Sequence, residues 1–473
     1  MRTVAARPRC RVKHFETGMP YSHLVRSRCT VCTLLALLAA GPDVRAGGLI
    51  VSPRTIGRAG TGTVGDDGCG ALQVNPAALA RREGKRAQVG VAFVDDEIAW
   101  QSDTSGAPVA RDQASSSIAP FGAGIGSSGP WVIALGAMTS GVSNRSLRRP
   151  GDLPPDQLGV AFDFRYMGIA GSMRRDTVAL AVARRIGDQL ALGVSLATSR
   201  IGVTEVRRMW AGFDGRDTVG DPTLDVELAL SGSDRFVPSV VAGILFAPSD
   251  AQLELGASLT LSANAHVAAD VSGTTTGDGP RLMDTGAHAR LDLAQPWVAR
   301  GGARYLGKRF VLELGGEVAT VPDSAIDTTW RVADMMVVDS SGLTVPLTRV
   351  PSRISERTNG AFRTALDVEL IAGFLWATGG YAYSIGNVSS NRQSPIFGDL
   401  GGHTFAAGLE GSTGGVMFTV GWSRTWSITT HTDSELHLDN PFEAGDKRVA
   451  SGSYDGSVDQ IGILLDVELD APK

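Results

Sequence analysis

The connections in this 473-residue chain come in two sizes, and the sizes alternate. Six are short: 126–129, 187–188, 248–250, Gly307, Gly373 and 412–413. Around and between them lie longer polar stretches at 102–115, 142–174, 209–223, 267–284, 322–360, 387–402 and 432–455. A soluble sandwich or barrel has no reason to sort its loops by length. A membrane barrel has one, because short turns collect at one rim and long loops at the other. The strands between these connections number about fourteen, and an even number returns both chain ends to the short-turn, periplasmic side.

The segments themselves alternate with period two. Leu253, Leu255, Ala257, Leu259 and Leu261 share one face of their segment, while Glu254, Gly256, Ser258 and Thr260 share the other. Ile461, Ile463, Leu465, Val467 and Leu469 oppose Gly462, Asp466 and Glu468 in the same way. The polar faces are rich in Gly, Ser and Thr with isolated acids. Several segments run past ten residues, and about 9–11 tilted residues cross a bilayer as a strand. The fold class predicted is therefore all-β: a transmembrane antiparallel β-barrel, apolar outward and polar inward. No stretch is long and apolar enough for a membrane-spanning helix, which excludes a polytopic helical protein. The 59 Gly with only 22 Pro and no G-X-Y period suit strands and tight turns rather than collagen. With 44 Lys+Arg against 49 Asp+Glu, no basic surface for a nucleic acid is indicated.

The N-terminus carries an export signal. Arg26 and Arg28 precede an apolar run at 29–41, and Val44-Arg45-Ala46 supplies a small-residue cleavage site. Residues 1–46 read as a signal peptide, with Met19 a candidate true start and the stretch before it an upstream extension. Cleavage after Ala46 removes eight of the 44 basic residues, two of the 49 acids and three of the four cysteines. Cys69 alone remains, so an internal disulfide is excluded and stability has to come from the barrel. Residues 47–86 are Gly-rich, lack alternation and are too few for a domain. Their natural place is the lumen of the barrel formed by 87–473, as a hatch, because a wide barrel leaves space to fill.

Several constellations bear on chemistry. Gly60-Thr61-Gly62-Thr63-Val64-Gly65 matches G-x-G-x-x-G, but no βαβ unit surrounds it and acids follow at Asp66 and Asp67. Asn75-Pro76 before Ala77-Ala78-Leu79-Ala80 reads as a helix start, with Asn75 as cap and Pro76 at the first position. His431, Asp433, Glu435 and His437 share one face if extended, a weak metal candidate in a polar loop. No G-x-S-x-G or H-E-x-x-H occurs, so hydrolase and zinc-protease readings lack their motifs, and no cofactor is called for. Met335, Met336, Val337 and Val338 form an apolar cluster within 322–360, read either as strand extension beyond the membrane or as a ligand-capture surface.

The stretch GGLIVSPRTIGRAGTGTVGDDGCGALQVNPAALA at 47–80 resembles the N-terminal hatch of the FadL-type outer-membrane transporters of long-chain fatty acids and other hydrophobic compounds. Gly57-Arg58-Ala59-Gly60 and Asn75-Pro76-Ala77 carry the resemblance, and FVPSVVAGILFAPSDAQLELGASL at 236–259 and the region 377–410 extend it over the mature chain. The resemblance implies fourteen strands, a luminal hatch and lateral release of substrate through a kink in the third strand. In residues 131–140 the kink candidate is Gly136. Gly57, Arg58, Gly60, Asn75, Pro76 and Ala77 become the hatch and gating candidates. The chain departs from the pattern in ending without a terminal aromatic residue and in holding only 6% aromatics. The function implied is passive uptake of a hydrophobic small molecule or fatty acid across a bacterial outer membrane. Its partners would be outer-membrane lipids and the barrel-assembly machinery. The alternatives are a structural or adhesive barrel and a general porin.

Overall fold

Strands that expose apolar side chains on one face only can hide their edges by closing, and these do. The computed structural model describes residues 52–103, 106–147, 163–211, 225–275, 280–320, 328–338, 342–352, 358–386, 394–432 and 451–469; the signal sequence expected at 1–46 lies outside them. Among the described residues fourteen antiparallel strands form a closed ring. The first six are β1 (Lys85–Ser102), β2 (Ser117–Ser128), β3 (Trp131–Ser146), β4 (Ala170–Ile186), β5 (Leu190–Trp210) and β6 (Asp225–Phe246). Three two-part strands follow: β7 (Leu253–Ser262, continued by Ala265–Thr275), β8 (Arg281–Leu293, continued by Trp297–Leu306) and β9 (Phe310–Thr320, continued by Thr329–Val338). The last five are β10 (Asn359–Ile371), β11 (Leu375–Ile385), β12 (Gly401–Thr413), β13 (Val416–Ser427) and β14 (Gly452–Glu468). β14 returns to β1 in unbroken register from Arg86↔Glu468 to Ser102↔Gly452, which leaves no free edge.

All six short connections are present at one rim, the last of them at 414–415, two residues beyond the 412–413 that the spacing predicts. Gly414 and Gly415 make the β12–β13 turn with φ of 57° and 80°, the left-handed pair that a two-residue hairpin needs. The start of β1 and the end of β14 lie at this same rim. Along the wall, Val178, Leu180 and Val182 face outward and exposed while Ala179, Ala181 and Ala183 between them are buried. The same pattern recurs at Leu192, Val194 and Leu196 and at Ile461, Ile463 and Leu465, giving the continuous apolar exterior of a membrane barrel.

Toward the opposite rim the sheet is taller than the sequence reading allowed. Parts of 142–174, 267–284 and 322–360, read as loops, continue the strands as far as Ser146, Thr275 and Val338. Here apolar side chains point inward: Val203, Leu228, Val267, Val271, Leu291 and Trp330 pack into one buried cluster. Met335 is buried in it and Met336 faces outward, so the apolar run at 335–338 is strand extension. β1 begins at Lys85, two residues inside the segment assigned to the hatch by sequence.

Candidate functional site

Residues 52–82 lie against inward-facing side chains of strands all round the ring. A single helical turn, Pro53–Ile56, is closed by a reciprocal capping box between Ser52 and Thr55. Two 3-10 turns follow, Cys69–Leu72 and Pro76–Arg81. Asn75 caps the second, its side-chain oxygen accepting from the Ala77 amide at 3.2 Å with Pro76 behind it. The Asn75 side-chain amide donates to the Thr63 carbonyl at 2.9 Å and to the Ile244 carbonyl on β6 at 3.2 Å. Asn75 thus shapes the turn and ties it to the wall.

The segment comes this close because the wall has glycines at its level. A methyl group on Gly421 of β13 would sit 2.5 Å from the Gly57 nitrogen, and one on Gly380 of β11 would sit 2.5 Å from the Arg58 carbonyl carbon. Gly193 and Gly243 leave the room in which Asn75, Pro76 and Ala77 rest, and Gly256 and Gly302 do so for Thr63 and Val64. Gly193 pairs with Gly243, Gly256 with Gly302, and Gly421 with both Gly408 and Gly462, so the notches run as a belt around the interior. Gly60 has φ of 78° and sits against the Arg363 side chain, which is why the Gly57–Gly60 turn ends on glycine.

Charge fixes one side of the segment. Arg58 bonds Glu313 of β9 at 2.7 Å and Asp367 of β10 at 3.0 Å, all three well buried. Arg54 reaches Glu410 of β12 at 2.7 Å and Asp67 at 3.0 Å. Arg81 bonds Glu254 of β7 at 2.6 Å, and Arg82 bonds Asp67 at 2.8 Å and approaches Asp466 of β14 at 3.5 Å. Burial by itself would raise the Asp67 carboxyl, but Arg82 and Arg54 outweigh it and hold Asp67 far below the usual carboxylate range. The G-x-G-x-x-G segment also finds its anion here: the Val64 and Gly65 amides donate to Glu313 at 2.9 and 3.1 Å, so a carboxylate of the wall occupies the place a phosphate would take. Burial pushes the Cys69 thiol up, leaving a packed, unreactive group.

The other side is apolar. Ala71, Leu72, Ala77, Ala78 and Leu79 pack on Phe121, Ala123, Ala134, Met138, Ala179 and Ala181 of β2 to β4.

Beyond the segment, toward the rim with long connections, lies a cavity of about 250 Å³. Its floor includes Ile56, Ala59, Gly60 and Val74, and its far wall includes Phe397, Asp399 and Leu400. The stretch 394–400 is held across the lumen by Arg145, which donates to the Gly398 carbonyl at 2.6 Å and is paired with Asp96 at 2.7 Å. Arg300 and Arg363 line the cavity and share one carboxylate, Glu317, at 2.6 and 3.3 Å.

Ser140 and Gly141 line the same cavity, and there the barrel wall is irregular. β3 carries a bulge between Thr139 and Gly141 in its pairing with β4. On its other side the β2–β3 ladder runs from Ser128↔Trp131 only to Phe121↔Met138. Residues 117–120 of β2 pair with β1 alone, and from Thr139 to Arg145 the backbone of β3 pairs with β4 alone, until the Gln113 amide donates to the Ser146 carbonyl at 2.8 Å and Asp112 bridges to Leu147. Gly136, the kink candidate from the sequence, stands in regular register between Ala123 and Ala179. The irregularity lies four residues on, at Ser140, where a one-residue insertion leaves no composition signal. Gly136 serves another purpose, since a methyl group there would meet Leu72 at 2.6 Å.

His431 is exposed, with its ring nitrogens 3.2 Å from the Ser453 hydroxyl and 3.6 Å from Asp103. Asp433, Glu435 and His437 lie outside the described residues. Among the described residues no cluster of three metal-ligating side chains occurs. Sequence reasoning picked out Gly57, Arg58, Gly60, Asn75, Pro76 and Ala77, and the structure brings all six to the level of the glycine belt. It missed Glu313, Glu410 and the wall glycines, whose only signal was a polar face of Gly with isolated acids.

No family model matches the chain, and no curated protein matches it. Solved structures do. A FadL homologue of Pseudomonas aeruginosa superposes with a TM-score of 0.65 at 14% identity, covering 90% of this chain and 100% of that one. The toluene transporter TodX of P. putida gives 0.61 at 14% identity over 88% of this chain and 98% of that one. The CymD monoaromatic hydrocarbon channel gives 0.59 at 12% identity over 90% of this chain and 99% of that one. At such identities the likeness establishes the fold, and this chain has the FadL-type barrel architecture.

Proposed function

We propose that the protein is a plugged outer-membrane channel for passive uptake of hydrophobic compounds. The observation that carries the reading is one continuous feature: the luminal cavity of about 250 Å³ reaches Ser140, where the β2–β3 ladder has already ended. A compound leaving the cavity at that point meets the lipid side of the wall instead of water. Residues 52–82 act as the hatch beneath the cavity, with Gly57, Arg58 and Gly60 on its clamped side and Asn75, Pro76 and Ala77 at the turn against β5 to β7. The short-turn rim faces the periplasm with both chain ends, and the tall rim faces outside. Lipids surround the apolar exterior, and the assembly machinery inserts the barrel.

The structural neighbours named as toluene and monoaromatic hydrocarbon channels support a small hydrophobic substrate. Within that class, two guanidiniums sharing one carboxylate at the cavity, Arg300 and Arg363 with Glu317, favour a substrate with an acidic head, a long-chain fatty acid, over a bare hydrocarbon. The test is accumulation of a fluorescent long-chain fatty acid and of radiolabelled toluene by cells producing the protein, against cells carrying an empty vector. Faster accumulation of the fatty acid supports the full reading. Faster accumulation of toluene alone reassigns the substrate, and no gain for either rejects transport.

A further inference from the structure

The wall is interrupted a second time, across β5 to β8, at the level where the tall rim begins. The β5–β6 ladder steps from Ser199↔Val237 to Ile201↔Asp234, so Arg235 and Phe236 stand outside regular pairing. The β6–β7 ladder ends at Ser239↔Ser262 and resumes at Ser233↔Ala268. The β7–β8 ladder ends at Thr260↔Val298 and resumes at Ala265↔Leu293. Side chains and prolines take the place of the missing ladder. Asn264 accepts from the Gln295 amide at 3.3 Å, and Asp234 accepts from the His266 amide at 2.7 Å. Pro296 and Pro238 have no amide to satisfy. A gap held in this way avoids part of the cost of unpaired backbone at a membrane surface. From inside, the cavity of about 250 Å³ reaches Pro296 and Val298. From outside, Ala263 and Asn264 are exposed. Trp297, between the two cavity-lining residues, faces outward and is 61% exposed, and Phe236 of β6 is 68% exposed. Outward aromatic side chains of this kind mark the membrane–water interface of a barrel. At this point the connection 294–296, one chain thick, stands between the cavity and that interface.

We propose that the gap between 261–264 of β7 and 294–297 of β8 is a side port, and that hydrophobic amphiphiles dissolved in the outer leaflet enter the cavity through it. The inference rests on the uptake reading above and adds where the compound comes from: the membrane interface, on the far side of the cavity from Ser140. Each methylene moved from water into acyl chains gains about 0.8 kcal/mol, so a long-chain compound is far more concentrated in the leaflet than in the water above it. A port at the interface draws on that concentrated source. Its chemistry matches a molecule with an apolar chain and a polar end. Trp297 and Phe236 flank the port outside, while Asn264 and Gln295 place side-chain amide groups at the level where a head group rests. Moving 294–296 aside breaks no ladder pair, because the Pro296 backbone has none. It costs the Asn264 bond to the Gln295 amide and the bond at 3.3 Å that Arg175 donates to the Gln295 side chain.

The test places one cysteine on the outer surface of the assembled full chain carrying Cys69→Ser. Ala263→Cys lies in the port, and Phe405→Cys lies on the outward face of β12, away from it. Each is loaded with a bulky alkyl methanethiosulfonate, and uptake of a fluorescent long-chain fatty acid is compared with that of the same variant before loading. The adduct at 263 should cut uptake at least fivefold, with heat-modifiable migration unchanged, and reduction should restore it. The adduct at 405 should leave uptake within twofold. Unchanged uptake with the adduct at 263, or equal loss from both adducts, overturns the inference. Photolabelling of the unmodified protein by a diazirine-bearing fatty acid gives a readout that needs no transport. Label that excess unlabelled fatty acid competes away should appear at 261–264 as well as on cavity residues such as Met173 and Phe397. Competed label on the cavity residues alone overturns the inference. Failure of the uptake reading is separate: it shows as no uptake by the unloaded variants or the unmodified protein.

Discussion

Asn75 shows how much one side chain does in this lumen. Its oxygen caps the Pro76 turn, and its amide holds both a hatch carbonyl and a wall carbonyl. Asn75→Ala leaves the Thr63 and Ile244 carbonyls without that donor, and leaving buried polar groups unpaired costs about 1–3 kcal/mol. The loss falls on hatch docking, because the strand ladder does not pass through Asn75. The variant should assemble at normal levels with unchanged heat-modifiable migration, and its hatch amides should exchange roughly tenfold or more faster. A fall in assembled barrel would place Asn75 in folding instead. The sequence made Asn75 legible as a cap because capping is local chemistry between neighbours. Its second bond, to a carbonyl 169 residues away, has no local sign.

At the scale of elements, the hatch and wall are joined by charge on one side and by small apolar side chains on the other. Arg58 is central to the charged side, bridging Glu313 and Asp367. Arg58→Ala strands two carboxylates in the lumen, and breaking a buried pair costs about 3–5 kcal/mol. The expected outcome is a barrel of normal thermal stability whose hatch is cut by protease far faster than in the wild type; equal protease resistance would contradict the clamp. Strand existence, turn positions and the outward apolar face were legible, since each repeats every two residues. The tall rim was not, for a definite reason. Leu253 to Leu259 face outward, whereas Val267 and Val271, in the same odd-numbered phase, are buried. The parity of the inward side changes across the break at 263–264 that divides β7, and the alternation in the sequence carries no mark of that break. The Ser140 bulge was hidden likewise, by being a single added residue between Thr139 and Gly141.

The whole molecule is a closed wall whose interior is occupied twice: by the hatch at the level of the glycine belt and by 394–400 across the far lumen. A wall of this kind takes its stability from an inter-strand ladder without a free edge, so its contents can change without unfolding it. In the uptake reading proposed above, that separation between wall and contents is what would let hydrophobic compounds pass without a standing water pore. The central claim is that residues 52–82 close the barrel to water. Single-channel conductance in planar bilayers tests it most directly, comparing the intact protein with a variant lacking 52–82. The intact protein should stay closed or nearly so, and the deletion variant should show large, steady openings. Steady conductance by the intact protein, or no change on deletion, would contradict the claim.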